Sequence, residues 1–184
     1  MAGPDTTRAW VADVVRSGLL PTGEVRAHAV AAIRADHPEL DAETTADAWI
    51  GEARAAWARD AETWPEVTDH DRLRRAFARL EERGIVVLQG VPDHWAARDE
   101  LARRTPTPAG IAWFTPTDVW HAIDAGMLEV NLWHGSTANA APGDALLDEA
   151  LDAFAEAGLA AHFDEGRIEV SARWERRPAT SQTE

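Results

Sequence analysis

The chain has 184 residues, 45% of them hydrophobic and nine of them Trp, which is enough apolar mass for one domain, or one domain with a helical extension. Its 32 acidic against 18 cationic side chains give a formal charge of −14, which excludes binding to nucleic acid by phosphate neutralisation and favours basic partners. There is no Cys and no Lys, which removes disulfides, thiolate metal centres, cysteine nucleophiles, Schiff-base chemistry and a Walker-type phosphate loop.

Thr6 to Ser17 places Trp10, Val11, Val14 and Val15 on one face and is followed by Gly18, the pattern of a helix. Pro21-Thr22 opens a second helix to about Ala35, with Val25, Ala29, Ala32 and Ile33 inward, and Pro38 stops it. Asp41 caps a third, longer helix, on which Trp49, Ala53 and Trp57 recur every four residues, either as a stacking platform for sugars or bases or, as the commoner arrangement, as core packing. From Asp69 the residues Leu73, Ala76, Phe77 and Leu80 form one apolar helix face, and Gly84 supplies the left-handed cap. Ile85-Val86-Val87-Leu88 then reads as an interior strand buried on both faces, with Phe77 and Leu80 packed on it.

Asp93 is an N-cap for a short helix to Arg104, and Gly110 to Phe114 is a second strand. Thr115-Pro116-Thr117-Asp118 has a capping Thr, Pro at the first helical position and Asp at the third, so a helix runs from there to near Gly126. Met127 to Trp133 is a third strand, with Leu128, Val130 and Leu132 on one face. Asp144 to Ala157 is a helix with Leu147, Leu151 and Phe154 inward. Leu159–Phe163 and Arg167–Trp174 pair as a hairpin around Asp164-Glu165-Gly166. The expected fold is therefore α+β. A helical region over residues 1–63 precedes an α/β-type domain over 64–174, whose mixed four- to five-stranded sheet carries βαβ-type connections and a C-terminal β-hairpin. A disordered tail is expected over 175–184.

Met1-Ala2-Gly3-Pro4-Asp5 has neither a basic start nor an apolar run, and no stretch approaches a membrane span, so a cytoplasmic protein is expected. The skew towards Ala, Arg, Asp and Gly is that of a high-GC bacterial genome. Glu39 to Asp71 carries ten acids against two Arg, whereas Arg72 to Arg83 carries five Arg against two Glu. Arg72, Arg75, Arg79 and Arg83 line up at helical spacing. They form either an anion-binding stripe or, as the commoner arrangement, ion pairs with the acidic helix just before them.

Trp64-Pro65 with Thr68-Asp69, then Asp71-Arg72-Leu73, Ala76-Phe77, Leu80 and Gly84-Ile85, resemble a family of uncharacterised bacterial domains of actinobacterial type. Phe114-Thr115 with Asp118, then Gly126, Leu128 and Gly135, and finally Gly158-Leu159 with the Phe163-Asp164 to Val170 hairpin extend the likeness over residues 64–170. The resemblance implies the fold and no activity.

If the three successive strands run parallel, their carboxyl ends form a ligand crevice. It would gather Gln89, Asp93 and His94, then Thr115, Asp118 and His121, then His134, Ser136 and Asn139. The three His near Asp118 are the one grouping able to hold a divalent ion or shuttle protons. No HExxH or Gly-x-Ser-x-Gly spacing accompanies them, and Asp118 is already accounted for as a helix-start residue. No metal and no cofactor are expected. Two function classes remain. One is a non-catalytic acidic protein-binding or regulatory module with a basic partner, the preferred reading; the other is a small hydrolase or ligand-binding domain using the crevice. Convergent His and carboxylates around a deep cleft would favour the second, and a weakly lined pocket the first.

Overall fold

Three amphipathic helices open the chain: α1 (Pro4–Ser17), α2 (Thr22–Asp36) and α3 (Ala42–Glu62). The computed structural model describes residues 4–178 and divides into two compact units, one of residues 1–65 with 175–184, the other of residues 66–174. In the first unit Val11, Val14, Val25, Ile33, Ala46 and Ile50 are buried between the three helices. The Asp41 carboxylate accepts from Thr44 N at 2.8 Å and starts α3. His37 is buried and its Nε2 lies 3.1 Å from Thr7 Oγ1, which in turn donates to Asp36 Oδ2, so polar groups as well as apolar ones join α1 to α2. Trp49 and Trp57 are only half-buried, with Ala53 between them in the core, so the Trp row borders the packing more than it fills it.

The stretch expected to be disordered from Glu175 starts inside this unit. Trp57 Nε1 donates to Arg176 O at 2.7 Å, and the Arg177 guanidinium donates to the carbonyls of Ala61 and Pro65. The rest of that stretch, from Ala179, lies outside the described residues. A composition poor in apolar residues does not preclude order where arginine donors meet carbonyls that a helix end leaves unpaired.

The second unit contains α4 (Asp69–Glu82), β1 (Ile85–Gln89), α5 (His94–Ala102), β2 (Gly110–Phe114), α6 (Pro116–Asp124), β3 (Met127–His134), α7 (Ala145–Glu156), β4 (Ala160–Asp164) and β5 (Arg167–Ser171). The sheet is mixed, in the order β1-β2-β3-β5-β4, with β4 and β5 forming the C-terminal hairpin. With seven helices in all among the described residues, the fold is α+β. Leu73, Ala76, Phe77 and Leu80 of α4 are all buried, and Gly84 ends that segment at φ +78°, a conformation that costs glycine nothing.

Phe77 lies 5.7 Å from Phe114 and 6.4 Å from Phe154, so strand β2 and helix α7 meet α4 through three rings. Full burial of each such side chain contributes about 1.5–3 kcal/mol. On the opposite face of the sheet, Ala97 and Leu101 of α5 cover Ile111 and Trp113.

Strand β1 is not interior. It lies at the edge of the sheet, and Val86, Val87 and Leu88 are only half-buried beside fully buried Ile85. An unalternating apolar run reports cover above and below a strand, which α4 and α5 supply; it carries no information about a neighbour alongside. The interior strand with all five residues buried is β2.

Phe77→Ala is expected to cost about 3–5 kcal/mol in urea denaturation of the full chain, because the ring contacts both the sheet and α7. A loss below about 1 kcal/mol would mean the core of this unit is built elsewhere.

Candidate functional site

The parallel pairing of β1 with β2, with Gln89 opposite Phe114, brings one group of nominated residues to a common end of the sheet. Gln89 is exposed there, and the loops after both strands leave from the same end. Their carboxylates are occupied locally. Asp93 Oδ1 accepts from Ala96 N at 2.9 Å and caps α5. Asp118 Oδ2 accepts from Thr115 N at 2.7 Å and from Thr115 Oγ1 at 2.8 Å, while Asp118 N reaches Thr115 Oγ1, a complete capping box at the start of α6. Thr68 and Asp71 repeat the device on α4. His121 is exposed on α6, and exposed His94 rests against Trp95 with 4.6 Å between ring centres.

Strand β3 runs antiparallel to β2, with Gly110 opposite His134 and Trp113 opposite Asn131. The assumption of three parallel strands is therefore overturned, and with it the single crevice. Residues Met127 to Val130 pair only with β5, so β3 starts beyond the carboxyl end of β2 and runs back along it. A connection of a dozen residues permits a parallel crossover but does not enforce one. His134, Ser136 and Asn139 consequently lie at the amino end of β2, across the sheet from Thr115, Asp118 and His121. Among the described residues no three His, Asp or Glu side chains are grouped so as to hold a metal ion.

At that second end His134 Nε2 meets Asp144 Oδ2 at 2.9 Å, and the same carboxylate oxygen accepts from Ala141 N at 2.8 Å. Asp144 is the N-cap residue of α7, yet its side chain accepts no helical N–H and meets these two partners through Oδ2. The His134 contact, followed by the Ala141 N–H, holds its pKa below the usual carboxylate range. Ser136 and Asn139 are exposed in the intervening loop, where Thr137 adopts φ +70°. The sequence signal for Asp144 was its position before an apolar helix; its pairing with His134 depends on the loop closing back and was not readable.

Most of the arginine stripe is neutralised within its own unit. Arg72 pairs with Asp69 one turn away, while Arg79 and Arg83 both reach Glu156 of α7, at 3.0 and 2.9 Å. Arg75 is exposed with no ion pair among the described residues. Within the helical unit the acids of α3 pair with Arg8, Arg16, Arg26 and Arg34 of α1 and α2. Charge density along the chain identified the pairing groups but not which helices would lie together.

A cavity of about 570 Å³ opens on the outer edge of β1, bounded by Glu81, Ile85 to Val87 and the segment from Pro106 to Ala109. None of the nominated residues lines it. Its one cation, Arg104, is tied to Glu100 at 2.7 Å, which leaves the cavity weakly functionalised.

Residues 3–178 match the model of the domain of unknown function DUF6891. The chain belongs to that family. The match takes in the three N-terminal helices as well as the 64–170 stretch whose motifs carry the resemblance. No curated protein and no solved structure matches the chain. Among the described residues no helix is long and apolar enough to cross a membrane.

A side chain that neither motif nor periodicity singled out is Trp95. It is 59% exposed at the start of α5, with the Arg98 guanidinium 6.0 Å from its ring centre.

Because Asp144 has a lowered pKa in the folded chain, it contributes stability that is complete above its unfolded value of about 3.9 and is lost as pH falls through the folded value. Asp144→Asn should therefore be less stable than the parent at pH 7, and the difference should shrink progressively below about pH 4. Thermal melts of both proteins across this range check it; a difference independent of pH would remove the His134–Asp144 contact from the account.

Proposed function

We propose that this DUF6891 chain is a non-catalytic, acidic protein-binding or regulatory module of a bacterial cytoplasm, and that Trp95 anchors its contact with a basic partner. The exposure of Trp95 carries the reading. Leaving more than half of an indole of roughly 200 Å² in water forgoes about 3 kcal/mol of burial, and a bound partner would recover it. Trp is also among the residues enriched at the energetic hot spots of protein interfaces.

Charge supports the nature of the partner. Among the described residues no Asp or Glu is buried, and most of the carboxylates are exposed. On α7, which packs on the face of the sheet opposite α5 and Trp95, Asp148, Glu149 and Asp152 are exposed. They make no ion pair among the described residues and add to the field at a distance. Such a field speeds encounter with a basic surface and makes the complex sensitive to salt. The weakly lined cavity and the separation of His121 from His134 fit the same reading. Within the sheet unit a second reading, a small hydrolase or ligand-binding centre, draws support from the His134–Asp144 pair, which lacks a third converging group.

Immobilised chain exposed to an extract of its native host should retain a basic protein at low ionic strength and release it at about 0.5 M salt. Trp95→Ala should weaken the retained complex by roughly 2 kcal/mol or more. Retention unaffected by both salt and Trp95→Ala, or turnover of a substrate abolished by His134→Ala, would overturn the proposal.

A further inference from the structure

In the helical unit a pocket of about 740 Å³ is lined by Arg54, Trp57, Arg176 and Arg177 above an apolar floor of Val15, Leu20 and Val25. Its volume falls within the roughly 300–1,000 Å³ of small-molecule sites. Among the described residues all of its charged lining residues are Arg, in a chain with almost twice as many acids as cations. We propose that it binds a small organic anion, a phosphate or carboxylate carried on a planar or apolar body. This inference is independent of the protein-binding reading, which concerns the other unit.

The three cations arrive there in different ways. Arg54 lies on α3 three residues before Trp57, so the two share a helix face. Its helical neighbours at three and four residues are Ile50, Gly51, Trp57 and Ala58, none acidic on a helix otherwise rich in carboxylates. It is exposed and makes no ion pair among the described residues.

Arg177 is fixed by two neutral acceptors, Ala61 O at 3.0 Å and Pro65 O at 2.6 Å. Carbonyls position the guanidinium without cancelling its charge, and three of its five N–H donors remain for a ligand. Arg176 donates to Gly18 O at 2.5 Å, and its own carbonyl accepts from Trp57 Nε1, which sets the indole as a wall of the pocket.

Gly18 makes the Arg176 position possible. At φ +60° a Cβ on Gly18 would lie 2.8 Å from Arg176 Cζ, so any larger residue would displace the guanidinium. Preorganised guanidinium groups, an indole wall and an aliphatic floor select a ligand with a charged end and a flat or apolar body.

Isothermal titration of the full chain with phenyl phosphate, benzoate and inorganic phosphate tests this. Phenyl phosphate or benzoate should bind one to one, at least tenfold more tightly than inorganic phosphate. Arg54→Gln should weaken that binding several-fold and Arg54→Glu at least tenfold, with unchanged circular dichroism, because the side chain is exposed. Arg75→Gln, on the other unit, should have no effect. Absence of heat with all three probes at millimolar concentration, equal binding of inorganic phosphate, or wild-type affinity in both Arg54 variants would each overturn the proposal.

Discussion

The antiparallel pairing of β3 with both of its neighbours determines where side chains of the sheet unit can act. β3 bonds to β5 from Met127 to Asn131 and to β2 from Asn131 to His134, so one eight-residue strand joins the hairpin to the parallel pair β1–β2. Its direction brings the amino end of β2 beside the carboxyl end of β3. Residues that would have faced each other in a sheet of parallel strands are thereby held at opposite ends of β2, a separation that no side-chain rotation bridges.

Local hydrogen bonding then spends the polar groups at each end. Asp93, Asp118 and Asp71 satisfy backbone donors that helix N-termini would otherwise leave open, and such caps are each worth about 1 kcal/mol. The Asp144 side chain meets His134 and Ala141 N and makes no capping hydrogen bond on α7. The abundance of carboxylates thus serves local structure and surface charge. The arginines follow the same economy: those of α1 and α2 meet α3, and Arg79 and Arg83 meet α7. Arg54 and Arg177, like Arg75 of the sheet unit, have no carboxylate partner among the described residues, and both line the helical unit's pocket.

Much of the element order was legible because periodicity and capping are local. Leu73, Ala76, Phe77 and Leu80 give the buried face of α4, and Thr115 with Asp118 gives both the start of α6 and its hydrogen bonds. The hairpin was marked by Gly166 in its turn. What local signals omit is lateral and long-range. Ile85 to Leu88 record cover by helices on two faces, yet not that the strand ends the sheet. Met127 to Trp133 record a strand with one apolar face, yet not its direction. Asp144 gives no sign of His134, ten residues earlier. The order imposed on Arg176 and Arg177 comes from carbonyls more than a hundred residues away in sequence. Composition within the last ten residues cannot contain that information.

The direction of β3 is most directly tested by cross-strand nuclear Overhauser effects between backbone protons of β2 and β3. Antiparallel pairing predicts contacts linking Ile111 with Trp133, Ala112 with Leu132 and Trp113 with Asn131, so that partner numbers fall as those along β2 rise. Contacts whose partner numbers rise together would establish a parallel pair, reunite His134 with His121 and Asp118 at one end of the sheet, and contradict the account.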